Sequence, residues 1–184
     1  MLNTYVVYVE NKPGVLTRVA SLFRRRAFNI DSLTVGRTEK PEVSRMTITV
    51  DADIDQSRRI EANLYKLVNV LLVENITHEP SIVRDLAMIK VAATHEARSH
   101  VLELASVFRA RVVDVAPESL TIEITGAEDK IDGLLEVLRP YGVLEMVRTG
   151  IVAMRRGKSS GVGTVPGSNG ASEDVAGEDV SYSV

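Results

Sequence analysis

Apolar positions along this chain fall into two rhythms, one of period two and one near 3.6, and the two alternate in the same order twice. Thr4 to Glu10 (TYVVYVE) is rich in β-branched and aromatic residues, which predicts a first strand. Asn11-Lys12-Pro13-Gly14 then reads as a turn, with Pro13 suited to the first turn of a helix. That helix is expected to carry Val15, Leu16, Val19, Ala20, Leu22 and Phe23 on one stripe, to keep Arg18, Arg24, Arg25 and Arg26 mostly off it, and to end at Asn29. Ile30 to Thr38 and Arg45 to Asp51 read as strands. In the second of these Met46, Ile48 and Val50 alternate with Thr47 and Thr49, so one face should be buried. Asp55 is a plausible N-cap for a second helix through Ile60, Leu64 and Leu67, and Val68 to Ile76 closes the unit as a fourth strand.

The order βαββαβ then repeats. Strands are predicted at Ala87 to Ala92, Val112 to Val115, Leu120 to Thr125, Val143 to Val147 and Ile151 to Met154. Helical stripes run through Val101, Leu104, Ala105 and Phe108, and through Ile131, Leu134, Leu135 and Leu138. The predicted fold class is α+β: two ferredoxin-like units, residues 1–79 and 80–157, divided where Pro80 biases Glu79 away from helix. Helices on one face of each sheet leave the opposite faces and the edge strands in need of cover, so oligomerisation is expected. Residues 158–184 are rich in Gly, Ser and acids without an apolar period, and are expected to be disordered.

Charge sharpens the picture. Beyond Gly157 there is one base, Lys158, against four acids, which accounts for the net charge of −3 and leaves 21 bases and 21 acids before it. Such a balance gives no footprint for nucleic acid as a partner. No apolar run approaches the roughly 18 residues of a membrane span, and the start carries no leader signature, so a cytoplasmic location is expected and no membrane partner. The absence of cysteine removes thiolate metal sites and Cys nucleophiles.

Several apparent signatures fail on spacing. His95 and His100 stand at i, i+5 where a zinc-binding helix face needs i, i+4. Asp51, Asp53 and Asp55 imitate a calcium loop, but Gln56 and Ala62 replace its glycine and glutamate. His78 has no evident carboxylate partner, and no catalytic residue emerges. With aromatics at 4%, the strands RMTITVD and LTIEIT lack the stacking residues of an RNA-recognition sheet.

Asn11, Gly14, Val15 and Leu16, with Asn29 and Ile30 beyond the same helix, suit a free amino acid. A helix N-terminus offers N–H groups and a positive dipole end to a carboxylate, and Gly14 has no Cβ to keep a ligand from the backbone. Asn11 and Asn29 can present carbonyls to an ammonium group, and their amide donors can help with the carboxylate. Val15, Leu16, Ile30, Leu33 and Val35 supply an aliphatic lining without a carboxylate, which favours a small apolar side chain. The same residues also suit an ordinary turn and helix cap.

The run ENKPGVLTRVASLFRRRAFNIDSLTVGRTE, followed by SRMTITV and later KLVNVLLV, resembles the ACT domain of acetohydroxyacid synthase (acetolactate synthase) regulatory subunits. Phe108-Arg109, Val113-Asp114-Val115 and Gly150-Ile151-Val152 are similar to that family's second domain, so the likeness spans about 1–157. The resemblance implies a non-catalytic subunit that activates a catalytic (large) subunit and mediates feedback inhibition by valine or another branched-chain amino acid. It implies a homodimer through ACT domains, with effector sites between the helix N-terminus of one chain and the Asn29 region of the other. Thiamine diphosphate, magnesium and FAD would belong to the catalytic partner. A free-standing amino-acid-responsive transcription regulator is the nearest rival, but no DNA-reading helix-turn-helix accompanies the sensor. An acylphosphatase-like enzyme is another, and Asn11-Lys12-Pro13-Gly14 does not supply its phosphate cradle.

Overall fold

The computed structural model describes residues 1–157; the tail expected to be disordered lies outside the described residues. The first unit contains β1 (Leu2–Glu10), α1 (Val15–Arg25), β2 (Ile30–Arg37), β3 (Val43–Asp51), α2 (Ile54–Leu64) and β4 (Val70–Asn75). Its antiparallel sheet has the order β2-β3-β1-β4. The second unit contains β5 (Ser81–Ala92), α3 (Arg98–Val107), β6 (Arg111–Val115), β7 (Ser119–Gly126), α4 (Glu128–Leu138), β8 (Val143–Arg148) and β9 (Val152–Arg155). Its sheet has the order β6-β7-β5-β8, and β9 pairs with the first four residues of β5, Ser81 to Arg84. The α+β class with two ferredoxin-like units is therefore as the periodicity predicts. No helix among the described residues is long and apolar enough to cross a membrane.

Local rules fix most element ends, though not always at the expected residue. Pro13 stays in the turn, and Gly14, at φ 81, is the N-cap of α1. The cap of α2 is Asp53 rather than Asp55: its carboxylate accepts from Gln56 N while the Gln56 side chain accepts from Asp53 N, a capping box that Asp55 has no glutamine to complete. Asn29 does not end α1. The helix stops at Arg25, and Ala27 enters the left-handed region at φ 55. Phe28 N donates to Phe23 O and Ala27 N to Arg24 O, the two bonds of a Schellman turn, and the rings of Phe23 and Phe28 meet edge to face. That aromatic contact holds in place a turn that glycine would normally make.

Each unit has a helix-side core. In the first, Tyr5, Val7, Phe23, Ile48, Ile60 and Leu64 pack together; in the second, Ile89, Ile122, Ile124, Ile131, Leu134 and Leu138 do so. β3 departs from the expected alternation because both of its faces are buried, with Thr47 at 3% and Thr49 at 0% exposure. The covering element is the chain's own second unit. Ile151, Ala153 and Val83, from β9, its lead-in and the start of β5, pack on Val6, Tyr8 and Val43 of the sheet face opposite the helices. The expectation that a partner must cover that face is corrected accordingly.

Polar contacts lock the same layer. Ile151 N donates to Ser32 Oγ at 2.9 Å, and Thr34 Oγ1 donates to Ile151 O at 2.8 Å. Arg45 donates to Ala153 O and to Thr47 Oγ1, and its guanidinium lies 5.8 Å from the Tyr8 ring centroid. Gly150 approaches at φ 87, and a Cβ there would stand 2.7 Å from Ser32 Oγ. Two independent constraints, backbone sign and space, thus require glycine.

Replacing Ala27 by glycine removes the Cβ penalty in the left-handed turn, and Ala27→Gly is expected to stabilise the protein by up to about 1 kcal/mol in chemical denaturation. A loss of stability would show that the Ala27 Cβ carries no appreciable penalty in this turn.

Candidate functional site

β1 delivers the chain to Asn11, whose backbone N–H donates to Glu42 O at 2.7 Å and whose side-chain amide donates to Pro41 O at 2.8 Å. Asn11 therefore pins the β2–β3 hairpin loop. One of its amide donors is spent there, which leaves its second amide donor and its carbonyl oxygen for a ligand.

No side chain caps α1 and no acid stands in its first turn, so the helix start presents unsatisfied N–H groups and a positive dipole end. A Cβ built on Gly14 would meet nothing within 4 Å, so the glycine answers to the backbone, and the space before it is open. Val15 is buried in the core, while Leu16 is exposed and lines an open groove along α1 with Thr17, Ala20, Ser21 and Arg24. Charge around this helix end is ordered by a network that sequence spacing does not reveal. Lys12 pairs with Glu10 at 3.0 Å, the Asn69 amide donates to Glu10, and Arg18 donates to Asn69 Oδ1 at 2.6 Å. The hydrogen bonds from Asn69 and Lys12 hold the Glu10 carboxyl below the ordinary glutamate range. Asn69 comes from the far side of α2, and no motif in the sequence links it to the turn.

Asn29 is exposed and makes no side-chain hydrogen bond among the described residues. Ile30 packs against the helix-side core, as does Leu33, whereas Val35 is exposed. The spacing of Ile30 and Leu33 on one face comes from a bulge between Ile30 and Ser32, which also places Asp31 at the surface, where Thr49 Oγ1 donates to its carboxylate. The Asp31 carboxylate is thus paired with Thr49 and stands apart from the aliphatic packing of Ile30 and Leu33.

The two halves of the candidate site do not meet within one chain. Ile30 pairs with Val50, and Val50 with Asn3, whereas Asn11 follows Glu10 at the opposite end of β1. The seven residue-to-residue steps from Asn3 to Glu10 correspond to roughly 23 Å of strand. A single α-amino acid cannot bridge that span, so one chain offers an uncapped helix end at one rim of the sheet and Asn29 at the other.

Comparison with known proteins follows the same division. A family model described as "AHAS small subunit-like ACT domain" matches residues 6–72, and one described as "Small subunit of acetolactate synthase" matches residues 84–157. A probable acetolactate synthase small subunit of Archaeoglobus fulgidus is 51% identical over 157 residues, covering 85% of this chain and 98% of the relative. The acetolactate synthase small subunit of Mycolicibacterium smegmatis is 48% identical over 155 residues, covering 84% and 91% of the two chains. The crystal structure of an acetolactate synthase small subunit from Thermotoga maritima superposes with a TM-score of 0.80 at 40% identity, covering 86% of this chain and 99% of that one.

Because Glu10 is held in its charged form, its contribution to stability is present above the unfolded glutamate pKa and is lost as pH falls through the lower folded value. An NMR titration of the Glu10 carboxyl should give a midpoint below that of a free glutamate, and Asn69→Ala should move it upward. An unchanged midpoint in the variant would mean that Asn69 does not hold the network.

Proposed function

This chain belongs to the acetolactate synthase small-subunit family, and on that premise we propose that it senses a branched-chain amino acid between two copies of its first unit. It is a non-catalytic regulatory subunit whose partner is the catalytic subunit of that enzyme. In our reading it activates the catalytic subunit in the cytoplasm, and bound valine, or another branched-chain product, imposes feedback inhibition. Thiamine diphosphate, magnesium and FAD are assigned to the partner.

The observation that carries this reading is the separation of the two half-sites. β2 is an edge of its sheet, with β3 as its only neighbour there. If two copies pair antiparallel through β2 about a two-fold axis, Ile30 of one copy faces the Arg37 end of the other. Arg37 pairs with Ser44, and Ser44 with Val9, so that end of the sheet is the one bearing Asn11 and Gly14. A two-fold dimer therefore unites what one chain separates, and it does so twice, because an isologous contact is reciprocal. In such a site the helix N-terminus of one copy receives the carboxylate, and the carbonyls of Asn11 and the partner's Asn29 receive the ammonium group. Leu16 and Ile30 meet the aliphatic side chain. A transcriptional role finds no support, since the models that match residues 6–72 and 84–157 both describe the small subunit of this synthase.

Thermal-shift measurements with the twenty amino acids test the reading directly. A ligand at about 100 times its Kd stabilises the folded state by roughly 2.7 kcal/mol, so valine, leucine or isoleucine should raise the Tm, and lysine and glutamate should not. Gly14→Asp places a carboxylate and a Cβ in the open space before α1 and should abolish the shift. If the variant responds like the parent chain, the site is elsewhere.

A further inference from the structure

Ser32 and Thr34 lie two and four residues beyond Ile30 on β2, and their hydroxyls clasp the two backbone polar groups of one residue, Ile151, in the other half of the molecule. Ile151 N donates to Ser32 Oγ, and Ile151 O accepts from Thr34 Oγ1. Both backbone groups belong to the segment entering β9, so two side chains of the first unit satisfy polar groups that no ladder partner supplies. Gly150 fits against the same two hydroxyls, with ideal Cβ distances of 2.7 Å to Ser32 Oγ and 3.2 Å to Thr34 Oγ1. The contact therefore has little slack: a shift of β2 must carry residues 150–151 with it or break both hydrogen bonds.

The mechanical setting favours transmission. β2 is held by the sheet on one side only, and its ladder to β3 is irregular between Ile30 and Ser32. Below the bulge the strand leads to exposed Asn29; above it the strand is tied to Ile151 and, through β9, to the start of β5. β5 then runs without interruption into the second sheet, where it pairs with both β7 and β8. Arg45 adds a parallel tie from β3 to Ala153 O, anchored over Tyr8.

We infer that Ser32 and Thr34 are positioning residues that couple occupancy at Asn29 and Ile30 to the second unit through Gly150-Ile151, a role that rests on the sensor reading of those two residues. An effector shifts an equilibrium only by its differential affinity for two arrangements, and the clasp is the place where the two units share that difference. Neither hydroxyl is among the proposed effector contacts, since both are engaged by Ile151. Their loss should separate binding from response.

Thr34→Val keeps the shape of the side chain and removes its donor, and Thr34→Ser restores the donor. In the full chain, calorimetry with L-valine, L-leucine and L-isoleucine should give affinities for Thr34→Val within about threefold of the parent. Hydrogen exchange at residues 150–155 should change on effector addition in the parent and in Thr34→Ser, and much less in Thr34→Val. With the catalytic subunit present, inhibition at saturating effector should weaken in Thr34→Val about fivefold or more, at the low end of usual allosteric couplings, and recover in Thr34→Ser. Full inhibition in Thr34→Val, or a parent chain that binds effector with no exchange change at 150–155, overturns the coupling role while leaving the sensor reading intact. A parent chain that binds none of the three amino acids, alone or with the catalytic subunit, overturns the sensor reading and the coupling with it.

Discussion

The constraint on which the rest depends is that the central strands of the first sheet are apolar on both faces. β1 has Tyr5, Val7 and Val9 on one side and Val6 and Tyr8 on the other, all buried. Helices α1 and α2 cover the first set. The second set must be covered as well, because exposing a Val or Tyr side chain of this kind forfeits roughly 1.5–3 kcal/mol apiece. The chain solves this with its own β5–β9 ribbon, which lays Val83, Ile151 and Ala153 over Val6, Tyr8 and Val43. Laying backbone across a sheet face costs hydrogen bonds, and Ser32, Thr34 and Arg45 return them.

That solution joins the two units into one mechanical object. A linker alone would leave a sensor and a second domain free to move independently. Here the edge strand that begins at the candidate effector residues is fastened to the strand that begins the second sheet. A regulatory subunit has to make the state of a small site felt over a large surface, and packed layers with few alternative arrangements serve that purpose better than flexible connections.

The division of the candidate site follows from the same topology. In a βαββαβ unit β1 and β2 run parallel, each antiparallel to β3, so the end of β1 and the start of β2 must lie at opposite rims. Asn11 and Asn29 are therefore separated by the fold itself. The proposed two-fold assembly through β2 would make that separation useful, because it would bring the two rims of different copies together.

Element order and fold class were legible in the sequence because they depend on local periodicity, and the family was legible because NIDSLTV and SRMT are specific strings. Their reason was not. Ser32, Thr34 and Arg45, in the middle of those strings, hold a backbone segment more than a hundred residues away, and no spacing rule connects positions so distant. One signal was present: TYVVYV runs apolar without alternation, which marks a strand buried on both faces. What covers the second face could not be read from it. The end of α1 was misplaced for a similar reason, since Ala27 adopts a turn that its own propensity opposes and that the Phe23–Phe28 contact sustains. Sequence by itself determined the elements and the family, which are set by neighbours within a few residues. Only tertiary structure decided which faces are covered, where Asn11 stands relative to Asn29, and how the two units are joined, because those depend on contacts that exist only once the sheet has closed.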